Sequence, residues 1–331
     1  MIHFYCHLLL VSAGRVNGFS PQEIAGLTSR AGIAKSHLTW GELIVKSFLG
    51  GVFISLGGLV DLIVLAGSPG LRASNPGLAT LIAGFTFPLG FVLITLTNME
   101  LCTSNMFVMP FAALQRKVSI LDMLKNLVVS YIANLCGCLF VAGFLGWWSD
   151  VLDTDTMSSY AVTQAQNRVD VQWSVNLLRG VGCNFFVAMA FFLSIGAVEF
   201  VSKVYTIWIP VWAFVIAGYQ HSIANYFLIP IGMFYGTNFG VGKFIYQSII
   251  PVTIGNLIGG ILLASLPFWY LYGREEQKAP TVQTGQPVAE DEKVKKRSSR
   301  SPDSDDETVI GGQGSSTSGL RYDRTGMVQA A

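Results

Sequence analysis

Apolar residues fall into blocks along the chain, and two of these blocks are interrupted by polar residues at corresponding places. The first runs from Phe87 to Pro110, and its middle, Thr97 to Asn105, is polar and carries Glu100. The second runs from Ile209 to Pro230 and is interrupted near residues 218–222. Because hydrocarbon cannot satisfy the polar groups of irregular backbone, each interruption must face protein or a water-filled cavity.

The apolar blocks are long enough to cross a bilayer, which takes about 20 helical residues. The predicted spans are residues 45–65, 77–109, 123–147 and 175–197, a fifth that follows Lys203, and 249–272. Residues 1–40 are predicted to be a cytoplasmic segment in which Ser20, Pro21 and Glu23 begin a short amphipathic surface helix, Pro21 to Ala31. Residues 41–272 are predicted to form one membrane domain of six helices.

The second half of the membrane domain repeats the first. The matching stretches are Asn105–Pro110 with Asn225–Pro230, residues 131–137 with 253–259 and, more weakly, Leu49-Gly50 with Arg179-Gly180. A repeat of three spans, an odd number, makes the second copy enter from the opposite face. The fold class predicted is therefore all-α, with six transmembrane helices in an inverted 3+3 repeat. Its broken second and fifth helices are expected to meet near the midplane.

Composition agrees with a membrane protein. Of the 331 residues, 51% are hydrophobic and 12% are charged, about half of the ~25% usual in soluble domains. Five cysteines show no metal-ligand spacing, and no catalytic Ser/His/Asp set or phosphate-binding loop is recognisable. We therefore expect neither an enzyme nor a cofactor, a bound metal or a nucleic-acid partner.

The charged residues are concentrated in the terminal segments. Their Lys and Arg content favours both termini on the cytoplasmic side. Residues 273–331 are rich in Ser, Gly, Gln and charge, which predicts a disordered cytoplasmic tail. The tail is either a solubilising cytoplasmic segment or a segment controlled by phosphorylation at Ser298, Ser299, Ser301 or Ser304.

The most informative single residue is His221. Aligning the two copies places the apolar Leu101 opposite His221, and a titratable residue at membrane depth is a functional hypothesis by default. Its ordinary pKa of about 6.5 allows a change of charge under mild conditions. The alternative is a hydrogen-bonded packing histidine. Thr103 and Ser104 are the nearest hydroxyl groups on the facing loop, where Thr103 either pairs with the imidazole or caps the second half-helix.

Other polar residues of the breaks are expected to brace them. Glu100 is expected to accept backbone N–H bonds and so to fix the loop, with a proton relay as the alternative role. Asn105 and Asn225 are expected to cap or brace half-helix ends. Arg168, in the polar loop between the third and fourth spans, is a candidate for gathering anions. Apolar residues beside the breaks could form narrow constrictions: Phe87, Phe91, Leu101 and Phe214.

The stretches FPLGFVLITLTNMELCTSN, LLRGVGCNF, GYQHSIANYFLIP and IPVTIGNLIGG give the chain a resemblance to the formate/nitrite transporter family. The resemblance covers about Pro21 to Tyr272, and the tail and composition are most like fungal nitrite-transporter members. It implies an aquaporin-like fold and a homopentamer with one pore per protomer. It also implies passage of small monovalent anions such as nitrite and formate, often with a proton.

The resemblance also implies residue roles: Phe87 and Phe214 at an outer constriction, Phe91, Leu101 and Cys102 at an inner one, Thr103 and His221 as the central pair, Asn184 near the path, and Arg168 in the vestibule. The chain departs from the family at three positions. Cys102 replaces a frequent aromatic residue, Gln220 a frequent acid, and Phe91 a leucine found in some members. These positions can tune selectivity or gating, so the anion is left open.

The function expected is transport of nitrite, formate or another short monocarboxylate through a plasma-membrane protein. A proton is expected to assist, through the central His221. One alternative is an aquaporin-like channel for water or glycerol, although the paired Asn-Pro-Ala motifs of aquaporins are absent. Another is a membrane scaffold whose tail recruits partners.

Overall fold

The computed structural model describes residues 18–274, and this part of the chain is built from helices. In chain order they are α1 (Pro21–Ser36), α2 (Trp40–Ala66), α3 (Pro69–Ser74), α4 (Pro76–Thr86), α5 (Leu89–Leu96), α6 (Cys102–Leu114), α7 (Ile120–Trp148), α8 (Asp155–Val169), α9 (Trp173–Gly196), α10 (Phe200–Ile216), α11 (Ser222–Phe234) and α12 (Val241–Gly273). The phosphorylation sites proposed for the tail, with the rest of residues 275–331, lie outside the described residues.

Five helical segments are long and apolar enough to cross a membrane. They are α2, α7, α9, α12 and the nearly continuous pair α4–α5. Three shorter apolar helices, α6, α10 and α11, accompany them. The described chain is therefore an all-α bundle of membrane-spanning length.

Capping boxes start the first two helices. Ser20 and Glu23 form the expected box at α1, where the Ser20 N–H donates to the Glu23 carboxylate at 2.8 Å. A second box, Thr39 with Glu42, starts α2 at Trp40, five residues before the predicted start. Such boxes satisfy amide groups that the first helical turn leaves unpaired. Helix α1 ends at Ser36, beyond the predicted end at Ala31, and buries one face against the protein.

Glycines bring two helix pairs into backbone contact. A Cβ atom on Gly137 of α7 would overlap the Phe48 carbonyl oxygen of α2. In the second half, a Cβ on Gly259 of α12 would overlap the Val181 carbonyl oxygen of α9. Small residues at these crossings let the helices approach closely, as is usual in membranes. The close approach carries the side chains of α7 and α12 up to the two helix breaks.

Hydrogen bonds define how the two halves correspond. The Asn134 side chain donates to the Ser47 carbonyl at 2.6 Å, and the Asn256 side chain donates to the Gly180 carbonyl at 2.8 Å. Ser47 therefore corresponds to Gly180, an offset of 180 − 47 = 133. The predicted match of Gly50 with Gly180 is wrong by three residues. Several glycines of α2 match Gly180 equally well by letter, and only the contacts distinguish them.

Candidate functional site

Both predicted interruptions are present as short non-helical segments. The first lies between the end of α5 and the start of α6, and the second between α10 and α11. Asn98 and Gly218 take left-handed conformations at φ 56° and 68°, which turns the chain out of each first half-helix. Leu101 and His221 then re-enter extended backbone, with φ/ψ of −116°/120° and −106°/118°. The two breaks therefore have the same backbone path.

One asparagine from a neighbouring helix satisfies each break. Asn134 of α7 accepts the Cys102 N–H at 2.9 Å and donates to the carbonyls of Ser47 and Glu100 at 2.6 and 2.9 Å. Each buried polar group left without such a partner would cost about 1–3 kcal/mol. The equivalent bonds of Asn256 are to the Ser222 N–H at 2.9 Å, the Gly180 carbonyl at 2.8 Å and the Gln220 carbonyl at 3.2 Å.

In the first break, Glu100 forms a buried ion pair. Its Oε1 accepts from Lys35 Nζ of α1 at 2.7 Å, and its Oε2 accepts from Asn105 Nδ2 at 2.8 Å. The expectation that Glu100 accepts backbone N–H bonds is wrong, because Asn134 already occupies the Cys102 N–H. Asn105 braces the loop through its side chain, which also donates to Asn126 at 2.8 Å.

In the second break, Gln220 occupies the position of Glu100. Its Oε1 accepts from Asn225 Nδ2 at 3.0 Å and from Arg168 Nη1 of α8 at 3.1 Å. Asn225 also donates to Ser248 at 2.9 Å, as Asn105 does to Asn126. The offset between Lys35 and Arg168 is 168 − 35 = 133, the same as between Ser47 and Gly180. The helices α1 and α8 therefore deliver equivalent cations to the two breaks.

The two cations differ in how they are neutralised. Lys35 contacts a carboxylate, whereas among residues 18–274 Arg168 contacts only the neutral side chains of Gln164, Gln220 and Asn225, at 3.0, 3.1 and 3.3 Å. Because Gln220 stands where the first break has Glu100, the positive charge of Arg168 has no contacting counter-ion among the described residues. This excess charge lies on what we call the Arg168 side of the bundle, the side of α8.

His221 joins the two breaks. Its Nδ1 accepts the Ala224 N–H at 2.9 Å and so caps α11, and its Nε2 lies 2.8 Å from Thr103 Oγ1. An accepting Nδ1 carries no proton, so the neutral ring has its proton on Nε2 and donates it to the Thr103 hydroxyl. The ring also stacks on Phe214, with centroids 6.1 Å apart. Thr103 therefore pairs with the imidazole, as one of the two sequence expectations has it. The cap of a half-helix that the other expectation assigned to Thr103 is formed by His221.

A cavity of about 250 Å³ reaches His221 from the Arg168 side. It brings together charged, aromatic and titratable side chains from six helices, helix junctions or breaks: Asp61, Phe87, Arg168, Arg179, Phe214 and His221. The Phe87 and Phe214 rings meet edge to face with centroids 5.9 Å apart, and both are almost fully buried. An anion entering this cavity would meet two guanidinium groups and then two aromatic rings.

The remaining candidates are buried but do not line this cavity. Cys102 Sγ donates to the Leu127 carbonyl at 3.3 Å, and Ser104 donates to the Leu101 carbonyl at 2.9 Å. Asn184 donates to the Asn256 carbonyl at 2.7 Å, so its amide group supports the helix that holds the second break. Phe91 is packed in the apolar core.

Several residues of the site are absent from the sequence-based candidates, among them Lys35 and Asp61. The offset of 133 matches Lys35 with Arg168, but this offset is known only from contacts between helices, so the sequence alone carries no signal for Lys35. The same holds for Asp61, which only the folded chain brings to the cavity. Within residues 18–274, no group of three or more His, Cys, Asp or Glu side chains is placed to hold a metal ion.

These features define the class of the protein: a helical membrane protein in which two interrupted helices meet at the Thr103–His221 contact beside a charged cavity. A sequence profile described as "Formate/nitrite transporter" matches residues 22–270, and the chain belongs to this family. Members of the family are transporters and channels, and this chain is an integral membrane protein rather than an enzyme.

Proteins similar in sequence or in structure match most of this chain. A probable formate transporter of Methanothermobacter thermautotrophicus is 35% identical over 273 residues, which cover 77% of this chain and 98% of the relative. An uncharacterized transporter of Bacillus subtilis, YrhG, is 38% identical over 257 residues, covering 78% and 95%. A solved pentameric formate channel with formate bound has a TM-score of 0.62 at 24% identity, covering 70% and 97%, and shares the fold.

Proposed function

We propose that this protein moves small monovalent anions, formate and nitrite among them, across the membrane with the assistance of a proton. The observation that carries the proposal is the Thr103–His221 contact, which joins the two helix breaks beside a cavity containing Arg168 and Arg179. Guanidinium groups in such a cavity raise the local concentration of anions. The relative named as a probable formate transporter supports the substrate class.

The proposed architecture has six membrane crossings in an inverted 3+3 repeat, aquaporin-like, with the second and fifth helices broken. The equivalent contacts of the breaks support this arrangement, with offsets of 133 between α2 and α9, and of 256 − 134 = 122 between α7 and α12. Tyr131 and Thr253 share the second offset, 253 − 131 = 122, and hydrogen-bond each other. Equivalent residues contact each other only beside a two-fold axis.

The proposed assembly is a homopentamer in the plasma membrane with both termini in the cytoplasm, so that the Arg168 side faces outward. Large apolar side chains such as Leu121 and Phe144 are 78% and 52% exposed on the single protomer. Such surfaces require lipid or neighbouring protomers as partners. The pentameric state of the similar formate channel favours protomer contacts for part of them.

Along the proposed path, an anion attracted by Arg168 loses water between Phe87 and Phe214. It then passes the polar pair Thr103–His221 and a second constriction formed by Phe91, Leu101 and Cys102, with Asn184 near the path. A bare charge is costly in such a low-dielectric passage, by several kcal/mol. A proton that binds the anion before the constriction removes most of this cost.

The hydrogen bonds of His221 favour one role for its ring. A neutral ring that gave up its Nε2 proton would become a buried imidazolate, and a second proton on Nδ1 would break the cap on Ala224. The ring is therefore a hydrogen-bond donor, which leaves the Thr103 hydroxyl proton free to point at the anion. The proton that accompanies the anion comes from another group or from water.

The function is tested by flux measurements on proteoliposomes that contain the purified full-length chain. They should take up labelled formate and nitrite faster at low than at high pH, and formate, nitrite and acetate should compete. Protein-free liposomes correct for leakage of the undissociated acids. Osmotic swelling in glycerol without anion uptake would support the neutral-solute channel and contradict the proposal.

Gln220→Glu should weaken anion entry. The new carboxylate would pair with Arg168 as Glu100 pairs with Lys35, which removes the excess positive charge of the cavity. We expect the KM for formate to rise about tenfold at low ionic strength. Asn238→Asp, in an exposed loop on the same side, adds the same charge outside the cavity and serves as the control. An equal effect of the two variants would contradict a role for uncompensated Arg168.

A further inference from the structure

The proposed transport path assigns no function to one carboxyl group that lines the cavity, that of Asp61. Asp61 of α2 is 6% exposed, and its Oδ1 atom has no hydrogen-bond partner in the described part of the chain. The ion pairs found within residues 18–274 do not include Asp61. The carboxyl group nevertheless belongs to the wall of the cavity that contains His221 and the paired rings of Phe87 and Phe214. It is a buried acid that opens onto the proposed path.

The charges around Asp61 come from every neighbouring element on this side. Arg168 and Tyr160 face it from α8, Arg179 from α9, and His221 from the second break. Arg72 of α3 lies over the Tyr160 ring, 3.9 Å from its centroid. Burial lowers the pKa of the Arg168 guanidinium, and the charges of Asp61 and Tyr160 counteract this lowering. Asp61 and Arg168 are thus electrostatically coupled without being in contact.

A permanently ionised Asp61 would oppose the function of the cavity. Its negative charge would repel an incoming anion, and a buried carboxylate without a contacting cation is costly. A protonated Asp61 removes both penalties. When it later loses the proton, the nearby guanidinium group of Arg168 stabilises the carboxylate. The site therefore suits a carboxyl group that alternates between its two protonation states.

We propose that Asp61 binds the proton that accompanies the anion and donates it within the cavity. In this step the Asp61 O–H bond breaks, an O–H bond forms on a formate or nitrite oxygen, and the neutral acid passes Phe87 and Phe214. The carboxylate left behind takes a proton from a hydronium ion at the cavity mouth, which becomes water. Formic and nitrous acids are about as acidic as an Asp carboxyl group in water, whose pKa is about 3.9, so the cost of the transfer is the cost of ionising a buried carboxyl group, which the nearby Arg168 offsets in part.

This inference rests on the proposed transport function and adds the proton site to it. The test is formate accumulation in proteoliposomes of the full-length chain, with an outside pH of about 5 and an inside pH of about 7.5. Wild-type protein should concentrate formate. Asp61→Asn cannot release a proton, so its concentrative uptake of formate should be at least about tenfold lower than that of wild type. The dependence of its uptake on pH should be reduced by a similar factor. Counterflow exchange of labelled formate at equal pH reports on the open path.

Two further variants control for charge and for folding. Asp61→Glu keeps a carboxyl group and should retain coupled uptake, whereas Asp153→Asn removes an exposed acid from the same side and should behave as wild type. If Asp61→Asn does not assemble, Asp61→Ser replaces it as a variant without a carboxyl proton.

Three results would overturn the inference: an assembled Asn or Ser variant that concentrates formate like wild type, faster uptake by that variant at neutral pH, or an assembled Glu variant that has lost coupled uptake. Faster neutral-pH uptake would make Asp61 a mere repelling charge. A wild-type protein that moves no formate at any pH contradicts the proposed function instead, so the two failures are distinguishable.

Discussion

His221→Phe should reduce formate uptake about a hundredfold, because it removes a preorganised hydrogen-bond donor from the centre of the passage. Phenylalanine fills the space of the ring but has neither the Nε2 atom facing Thr103 nor the Nδ1 atom that caps α11 at Ala224. Loss of the cap should also lower the free energy of unfolding by about 1 kcal/mol. Uptake into proteoliposomes and thermal unfolding in detergent measure the two effects separately.

His221→Asn separates the two roles of the ring. Asparagine is a strong N-cap residue and should restore the bond to the Ala224 N–H, so the stability should return to that of wild type. Its shorter side chain does not reach Thr103 as Nε2 does, so uptake should stay as low as in the Phe variant. Recovery of uptake together with stability would reduce His221 to a structural cap and contradict its role in the passage.

Gly137→Ala should prevent assembly or lower the free energy of unfolding by about 3 kcal/mol, at the upper end for overpacked sites. The added methyl group would overlap the Phe48 carbonyl oxygen and lie 2.9 Å from the Val52 nitrogen, both backbone atoms that cannot rotate away. Helices α2 and α7 would have to separate, and the bonds of Asn134 to the first break would lengthen. Size-exclusion profiles and melting temperatures in detergent report the loss.

Gly143→Ala is the matched control on the same helix, where the nearest atom to an added Cβ is 3.8 Å away in the Phe234 ring. It should leave assembly and melting temperature unchanged. A Gly137→Ala protein that assembled and melted like the control would show that the crossing of α2 and α7 accommodates an added methyl group, contrary to the close contact seen in the structure. Gly259 is the corresponding site in the second half.

Much of the arrangement of the breaks could be predicted from the sequence. A polar run such as Thr97 to Asn105 inside an apolar block must be an interruption, since lipid offers its backbone no partners. The spacing of Asn105 and Pro110, repeated at Asn225 and Pro230, indicates the two copies. Local composition was sufficient to predict the interruptions because contact with lipid constrains each segment by itself.

Reasoning from sequence patterns was less reliable for features that depend on contacts between helices. The match of Gly50 with Gly180 was wrong because several glycines are interchangeable by letter, whereas the carbonyls of Ser47 and Gly180 are selected by Asn134 and Asn256. Glu100 was expected to bind backbone amides, but its partners are side chains that include Lys35, which is 65 residues away.

The sequence by itself determined the apolar blocks, the two polar interruptions and the position of His221 within the second of them, because burial in lipid constrains each segment separately. Only the tertiary structure decided which side chains satisfy the interruptions and which charges share the cavity. Asp61 and Arg168 lie 107 residues apart (168 − 61 = 107) and meet on one cavity wall. Their proximity depends on how closely the glycine-lined helices pack, and that distance is a property of the folded bundle rather than of any one segment.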